Sequence, residues 1–378
     1  MSAKNKHTAL VWAEIDLDAL RHNLKIIRRK LGGKHAQILA IVKADAYGHG
    51  MAEIAKALSR EGVNFFGVAN VDEAVALRRV LARALILVLG SFDKSQADFF
   101  FQHRITPTVS SLEDFRLLER LAEKKRKRLQ VHVKIDTGMG RLGFSGRALE
   151  SFFHAVSGKS AVQIEGLYTH FSRADHEDRE PTRLQLERFH GSLAKIRRLG
   201  FQPKYLHSAN SVGLCRFKNS HGNLVRPGII LYGLNPACGL EGIPRSLKPI
   251  LSLKTRIAFL KEVPRGTSLS YGATYRTRGE TKIAVIPVGY SHGYRVGFSN
   301  RSEVLVRGRR CPVVGRVTMD QTLVDVGAVP GVRRWDKVTL IGKDGREEIS
   351  AVDLAKLLDT IPYEILCAIH PRIPRFYH

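Results

Sequence analysis

Ile38-Leu-Ala-Ile-Val-Lys-Ala-Asp-Ala-Tyr-Gly-His-Gly50 runs five apolar residues straight into a lysine and then turns polar and glycine-rich. A short apolar run bounded by turn residues is the pattern of a strand buried on both faces, as in a parallel sheet. Ala52-Glu-Ile-Ala-Lys-Ala-Leu58 follows with helical period. Strand then helix is the half-unit of a parallel α/β fold. Lys43, at the strand's end, needs a chemical explanation. An unpaired buried ammonium costs several kcal/mol. The lysine therefore either reaches outward into water or gives up its proton and becomes a nucleophile.

The same alternation continues in both directions along the chain. Short apolar runs recur at 38–42, 64–69, 85–89, 105–109, 131–136, 162–168, 205–208 and 224–231, most of them separated by segments of helical period. Eight strand-helix units in about 240 residues predict a (β/α)₈ barrel. From Leu247 onward the pattern changes to short alternating runs with glycine turns, which predicts a mostly antiparallel β-domain. The expected domains are 1–240 and 241–378, divided at the Pro- and Gly-containing stretch 235–249, with residues 1–16 free to pack on the second. Barrel chemistry gathers at the C-terminal ends of the strands. Lys43 lies there, as do Lys134, Arg141, His170, Asn210, Ser211 and Arg226.

Composition narrows the class. The 378 residues are 44% hydrophobic and 25% charged, as in an ordinary globular protein. No apolar run approaches the roughly 18 residues that span a bilayer. The N-terminal residues carry no signal-peptide core, so a cytoplasmic protein with reduced thiols at Cys215, Cys238, Cys311 and Cys367 is expected. The net charge of +26 favours an anionic partner. The one dense cluster, Lys124-Lys-Arg-Lys-Arg128, closes a helical pattern and has no interleaved aromatic residues to stack bases. Neither a membrane nor a nucleic-acid partner is expected from it.

Gly138-Met-Gly-Arg-Leu-Gly143 matches G-x-G-x-x-G, but its strand carries Lys134 and Asp136 and four strand-helix units precede it. A dinucleotide fingerprint should open its fold on an apolar strand. No metal-ligand spacing is evident. Arg226-Pro-Gly-Ile, with Ser211, offers a guanidinium, a hydroxyl and close backbone N–H groups for a phosphate at the last strands. A phosphate site together with an activated lysine points to pyridoxal 5′-phosphate (PLP).

Val42-Lys-Ala-Asp-Ala-Tyr-Gly-His-Gly50 resembles the PLP-attachment motif of bacterial alanine racemases. The resemblance runs through 134–143, His207-Ser-Ala-Asn-Ser211 and Arg226-Pro-Gly-Ile. It continues through Ser270-Tyr-Gly-Ala-Thr-Tyr275, Val288-Gly-Tyr290, 315–321 and Pro362-Tyr-Glu364, and so spans essentially the whole chain. It implies interconversion of L- and D-alanine, with D-alanine feeding peptidoglycan synthesis. Lys43 would carry PLP. Tyr47, Ser211, Tyr363 and the N–H groups of Gly228 and Ile229 would hold its phosphate, and Arg226, backed by His207, would face its ring nitrogen. Lys43 and Tyr271 would be the two bases, with Arg141 and His170 favouring the tyrosine's phenolate. Tyrosine ordinarily titrates near pH 10 and needs such help. Met319, Tyr290 and Arg141 would meet the substrate, and Lys134 matches the position that can carry a carbamate. Tyr271, Tyr290 and Met319 would reach the site of the other subunit in a homodimer.

His292 stands where the family usually has an acid, which alters the expected polarity of the substrate channel. Two other readings remain open at this level. One is racemisation of another amino acid, such as serine or a basic residue. The other is a nucleic-acid-binding protein on a racemase scaffold, which would keep the basic clusters without needing both Lys43 and Tyr271.

Overall fold

The computed structural model describes residues 8–32, 36–236 and 240–378, so Cys238, part of the 235–249 stretch and the first seven residues lie outside the described residues. A strand, β1 (Val11–Ile15), and a helix at Leu17–Leu31 come first. Eight parallel strands follow: β2 (Gln37–Ile41), β3 (Phe65–Val68), β4 (Leu85–Val88), β5 (Thr108–Val109), β6 (Leu129–Lys134), β7 (Val162–Tyr168), β8 (Tyr205–His207) and β9 (Leu224–Val225). They form two four-stranded runs, β9-β2-β3-β4 and β5-β6-β7-β8. Parallel bridges at Leu87–Thr106 and Asn210–Arg226 join the runs at both seams and close the barrel. Phe65, Phe66 and Val68 are fully or almost fully buried, as strands covered by helices outside and side chains inside must be.

Two strands are shorter than the apolar pattern predicts. The run 224–231 is a strand only at Leu224–Val225, because Pro227 has no N–H to donate and Gly228–Gly233 coil into tight turns. The run 105–109 pairs continuously only at Thr108–Val109, with Thr106 held by the single bridge to Leu87. The basic cluster sits where the sequence places it. The helix Leu112–Lys125 ends there in a left-handed Arg126, and Lys125 pairs with Asp98 at 3.0 Å.

The second unit contains β10 (Leu251–Arg256), β11 (Phe259–Val263), β12 (Ser268–Leu269), β13 (Tyr275–Arg276), β14 (Thr281–Ile286) and β15 (Glu303–Val306). It continues through β16 (Arg309–Pro312), β17 (Thr322–Asp325), β18 (Lys337–Asp344), β19 (Glu347–Ile349) and β20 (Arg375–Tyr377). Its larger sheet runs β16-β15-β18-β10-β1-β20, and a smaller one runs β11-β14-β17. β1 therefore belongs to the sheet of the second unit, antiparallel to β10 and parallel to β20. Lys254 pairs across that seam with Glu14, which also accepts from the Trp12 indole at 3.0 Å. Chain ends and barrel are thus tied to one another. Among the described residues no helix is long and apolar enough to cross a membrane, and Cys215, Cys311 and Cys367 are free thiols.

Candidate active site

The residues after Lys43 adopt a conformation that the sequence does not announce. Ala44, Asp45, Ala46 and Tyr47 all have φ between 52° and 56°, a left-handed helical turn built from L-residues. Each such residue costs roughly 1–2 kcal/mol. The surroundings hold the turn in place. The Glu73 carboxylate accepts from Ala44 N–H (2.6 Å) and from Ala69 N–H (2.7 Å), and Asp45 Oδ1 accepts from Met51 N–H (2.7 Å). The C-terminal segment clamps it from outside: Arg375 Nε donates to Gly48 O (2.8 Å) and Tyr377 Oη to His49 O (3.1 Å). Lys43 is thereby fixed at the mouth of β2 by one local contact and by contacts from two distant parts of the chain.

Gly48 is required at its position. Its φ is +81°, and a Cβ there would lie 2.3 Å from Leu366 O in the helix Pro362–Cys367. Gly48→Ala is expected to cost about 2–4 kcal/mol from left-handed strain plus a backbone clash. It should also push away the helix that carries Tyr363. A lowered thermal midpoint with weakened PLP binding is the expected result, and an unchanged midpoint would show that the helix docks more loosely than drawn.

Lys43 opens into a cavity of about 600 Å³ at the C-terminal end of the barrel strands. Lys134, Arg141, His170 and Arg226 line the same cavity, as do Tyr47, Ser211, Gly228 and Tyr363. Burial first, and then the Arg141 guanidinium, lowers the Lys43 pKa, with Glu73 opposing. Lys134 is pushed down to about 7 by burial and by Arg226 and Arg141, and its ammonium lies 4.6 Å from the Tyr168 ring centroid. The cavity is strongly cationic, and the pKa values of both its amines are lowered, that of Lys134 the further.

At one end Gly228 N–H donates to Ser211 Oγ (2.8 Å), and a Cβ on Gly228 would stand 2.5 Å from Tyr47 Oη. The missing side chain lets the Tyr47 hydroxyl close on the Gly228 backbone, and with Ser211 and Tyr363 it makes this end of the cavity a hollow edged by hydroxyls. Burial raises the pKa values of Tyr47 and Tyr363, so both remain O–H donors at neutral pH. The Ile229 side chain is buried beside Gly228 and is not among the side chains that line the cavity.

At the other end Arg226 is held tightly. Nη1 donates to His207 O (2.8 Å) and faces His207 Nδ1 (3.0 Å). Nη2 donates to Thr169 O (2.7 Å) and Ser208 O (3.1 Å) and faces His170 Nδ1 at 3.4 Å. These contacts leave Nε–H as the donor that no protein acceptor takes among the described residues. His207 sits behind Arg226, stacked on Tyr168 with ring centroids 4.7 Å apart.

Burial keeps four histidines neutral. The pKa falls to about 4 at His49 and about 3 at His132, and well below the ordinary value at His170 and His207. Each binds a proton more readily unfolded than folded. Their contribution is therefore complete above about pH 6.5 and is lost as pH falls toward the folded-state values. The slope is up to about 1.4 kcal/mol per pH unit for each histidine. The thermal midpoint is expected to decline between about pH 6.5 and 4.5, before most carboxylates titrate. A midpoint flat over that window would contradict the neutral assignments.

The G-x-G-x-x-G match is explained by Asp136. Its carboxylate accepts from the N–H groups of Gly138 (2.9 Å), Met139 (2.9 Å) and Gly140 (2.9 Å). Those groups are spent on the protein's own carboxylate and are not offered to a pyrophosphate.

Tyr271, Tyr290 and Met319 do not reach this cavity within one chain. They are 71%, 45% and 55% exposed on the second unit. Their loops are bound together: Ser270 Oγ donates to Arg316 O (2.6 Å), Tyr290 N–H to Thr318 O (3.1 Å) and Ser291 N–H to Met319 O (3.0 Å). His292 is half-buried beside them, and its ring lies 3.2 Å from Ser291 Oγ.

A lysine at a barrel mouth beside a hydroxyl-edged hollow, followed by a β-unit, has close relatives. Residues 15–236 match the family described as alanine racemase, N-terminal domain, and residues 250–377 match alanine racemase, C-terminal domain. The chain belongs to the alanine racemase family. The alanine racemase of Halothermothrix orenii is 45% identical over 98% of this chain and 97% of its own length. That of Symbiobacterium thermophilum is 43% identical over 97% and 96%. The crystal structure of alanine racemase from Bacillus anthracis with bound L-Ala-P superposes with a TM-score of 0.92 at 36% identity, covering 98% of this chain and 95% of that one. Alanine racemase from E. faecalis superposes equally well, at 35% identity over 99% of both chains. The fold is that of the family, a barrel followed by a mostly antiparallel β-domain. The family depends on PLP, and the cavity fits that cofactor: it combines a lysine whose pKa is lowered with an end lined by the hydroxyls of Tyr47, Ser211 and Tyr363.

Several residues of this site carry no motif that sequence reasoning singled out. His132, Tyr168 and Glu73 are among them. Gln130, His132 and Lys134 alternate on one face of β6, and that polar alternation on a barrel strand is the signal that would have found His132.

Proposed function

We propose that this protein interconverts L-alanine and D-alanine with PLP, and that Lys43 and Tyr271 carry protons on opposite faces of the substrate. The observation that carries the reading is the convergence of Lys43, Arg226 and the hydroxyl-edged hollow in one cavity, in a chain of the alanine racemase family. PLP, when bound, supplies an electron sink that makes the substrate's Cα–H bond acidic. Tyr47, Ser211, Tyr363 and the N–H groups of Gly228 and Ile229 would hold its phosphate, and Lys43 would attach it. Arg226 would meet the ring nitrogen through Nε–H. An arginine offers only donors, so it holds that nitrogen without giving it a proton.

Lys43 Nζ takes or returns the Cα proton on one face, and Tyr271 Oη does so on the other. Arg141 and His170 would favour the phenolate of that tyrosine. Lys134, whose amine is poised to be neutral, can take up carbon dioxide as a carbamate and orient Arg141. Tyr271 is exposed and does not line its own chain's cavity. We therefore place it, with Tyr290 and Met319, in the site of a second copy, which makes a homodimer the active unit. The D-alanine formed would serve peptidoglycan synthesis.

The test is to follow D-alanine formation from L-alanine, and the reverse, with purified protein whose visible absorbance has been recorded. A yellow protein that interconverts both enantiomers is expected. A colourless preparation that stays inert after PLP is added would end the proposal.

A further inference from the structure

We infer that His132, which lies outside the cavity, is a positioning residue for the reaction: it fixes the tautomer of His207 and, through it, the acceptor that holds Arg226. The functional consequence rests on the racemase reading above, whereas the chain of bonds does not. Arg226 Nη1 lies 3.0 Å from His207 Nδ1, and His207 Nε2 lies 2.9 Å from His132 Nδ1. A guanidinium has only N–H groups to offer. His207 Nδ1 must therefore accept, and the imidazole proton resides on Nε2. That proton needs an acceptor, and His132 Nδ1 is the one within reach. His132 then carries its own proton on Nε2, which finds no protein acceptor, packed between the rings of Phe65 and Tyr205. The direction of donation is fixed at every link, from Arg226 to His207 to His132.

The barrel makes specific room for this ring. A Cβ on Gly166 would lie 2.5 Å from His132 Cε1 and Nδ1, so only glycine on the neighbouring β7 admits the imidazole. The pairing of β6 with β7 also shifts register between Val131 and His132. Both imidazoles are fully buried, so bulk water does not reach the place of a lost acceptor. Without His132, the His207 Nε2–H would be stranded. The opposite tautomer would relieve it, but would aim an N–H at the Arg226 N–H groups. Arg226 would then lose its imidazole acceptor and meet an opposing N–H, which would shift it against the three carbonyls that still hold it. A shifted Arg226 should slow turnover rather than weaken alanine binding, because Arg226 is placed against the cofactor and not the substrate.

The experiment uses PLP-loaded protein with ¹⁵N-labelled histidine. Long-range ¹⁵N–¹H correlation spectra read the tautomers, and the signals are assigned by their loss in His132→Gln and His207→Gln. In the wild type, both His207 and His132 should be protonated at Nε2. His132→Leu removes the acceptor: His207 should gain the Nδ1–H form and kcat should fall about tenfold with KM within about twofold. His132→Gln supplies a carbonyl oxygen and should retain the His207 tautomer and kcat to within about threefold. Gly166→Ala, which displaces the ring without removing it, should behave like His132→Leu. A wild-type His207 protonated at Nδ1 would overturn the inference, and this needs no variant to fold. So would a His132→Leu protein with an unchanged tautomer and kcat. If the tautomers are as stated but the wild type does not racemise alanine, the proposed function fails and the relay stands.

Discussion

Lys43→Ala is expected to replace the absorbance band of lysine-attached PLP with that of the unattached aldehyde and to cut alanine racemisation by about 10⁴-fold or more. Two amines line the cavity, and the pKa of each is lowered, so Lys43 must be distinguished from Lys134. Position does so. Lys43 leaves β2 on a strained turn that Glu73, Asp45 and the C-terminal segment hold in place, and that turn carries Tyr47 to the hollow at Gly228. The ammonium of Lys134 instead lies over the Tyr168 ring, on the side of Arg226 and Arg141. Lys134→Ala should therefore keep the band of attached PLP and lose activity only in part. The reverse pattern, with that band lost in Lys134→Ala and kept in Lys43→Ala, would exchange the two assignments. Lys43 contributes little to the core, so Lys43→Ala should fold normally and should still bind PLP through the phosphate hollow. Retention of unattached PLP on gel filtration checks this.

What was legible in the sequence follows from what is local. The run Ile38–Val42 and its successors show as strands because both faces of each are buried, which removes the polar alternation of a half-exposed sheet. The placement of Lys43, Lys134, His170 and Arg226 at strand ends follows from parallel strands alone, since all their C-terminal ends share one face. Non-local features were hidden. β1 lies in the sheet of the second unit, on which residues 1–16 were expected to be free to pack, but its register with residues some 240 positions away is not recorded in Val-Trp-Ala-Glu-Ile. The left-handed turn was hidden for a different reason. Ala44, Ala46 and Tyr47 have no preference for positive φ, and distant contacts impose it on them. Asp136 shows the converse: a motif legible as a phosphate loop is closed by a carboxylate two residues before it. His132 was missed because one histidine in a strand is most simply core. Only the short distance to His207, and the bare Gly166 beside it, give it a direction.

The second large effect is expected at Tyr271, and its form distinguishes an interface site from a single-chain one. Tyr271→Phe should keep the visible absorbance, since Lys43 and the phosphate hollow are untouched. It should lose about 10²- to 10⁴-fold in racemisation, the usual worth of a positioned proton carrier. Exchange of the Cα proton with solvent should survive for one enantiomer only, the one whose proton faces Lys43. If both enantiomers still exchange at wild-type rates, Tyr271 is not the second base. The exposure of Tyr271, and its absence from its own chain's cavity, then permit a sharper test. Lys43→Ala and Tyr271→Phe chains are each nearly inactive alone. Mixed in equal amounts and allowed to exchange subunits, about half the dimers become hybrids. In a hybrid, one site pairs an intact Lys43 with the other chain's intact Tyr271, while the second site carries both substitutions. Activity should therefore recover to about one quarter of wild type. No recovery, in a mixture shown to contain hybrids, would mean that each chain completes its own site, and the loops carrying Tyr271, Tyr290 and Met319 would then have to fold inward by a route that their present hydrogen bonds oppose.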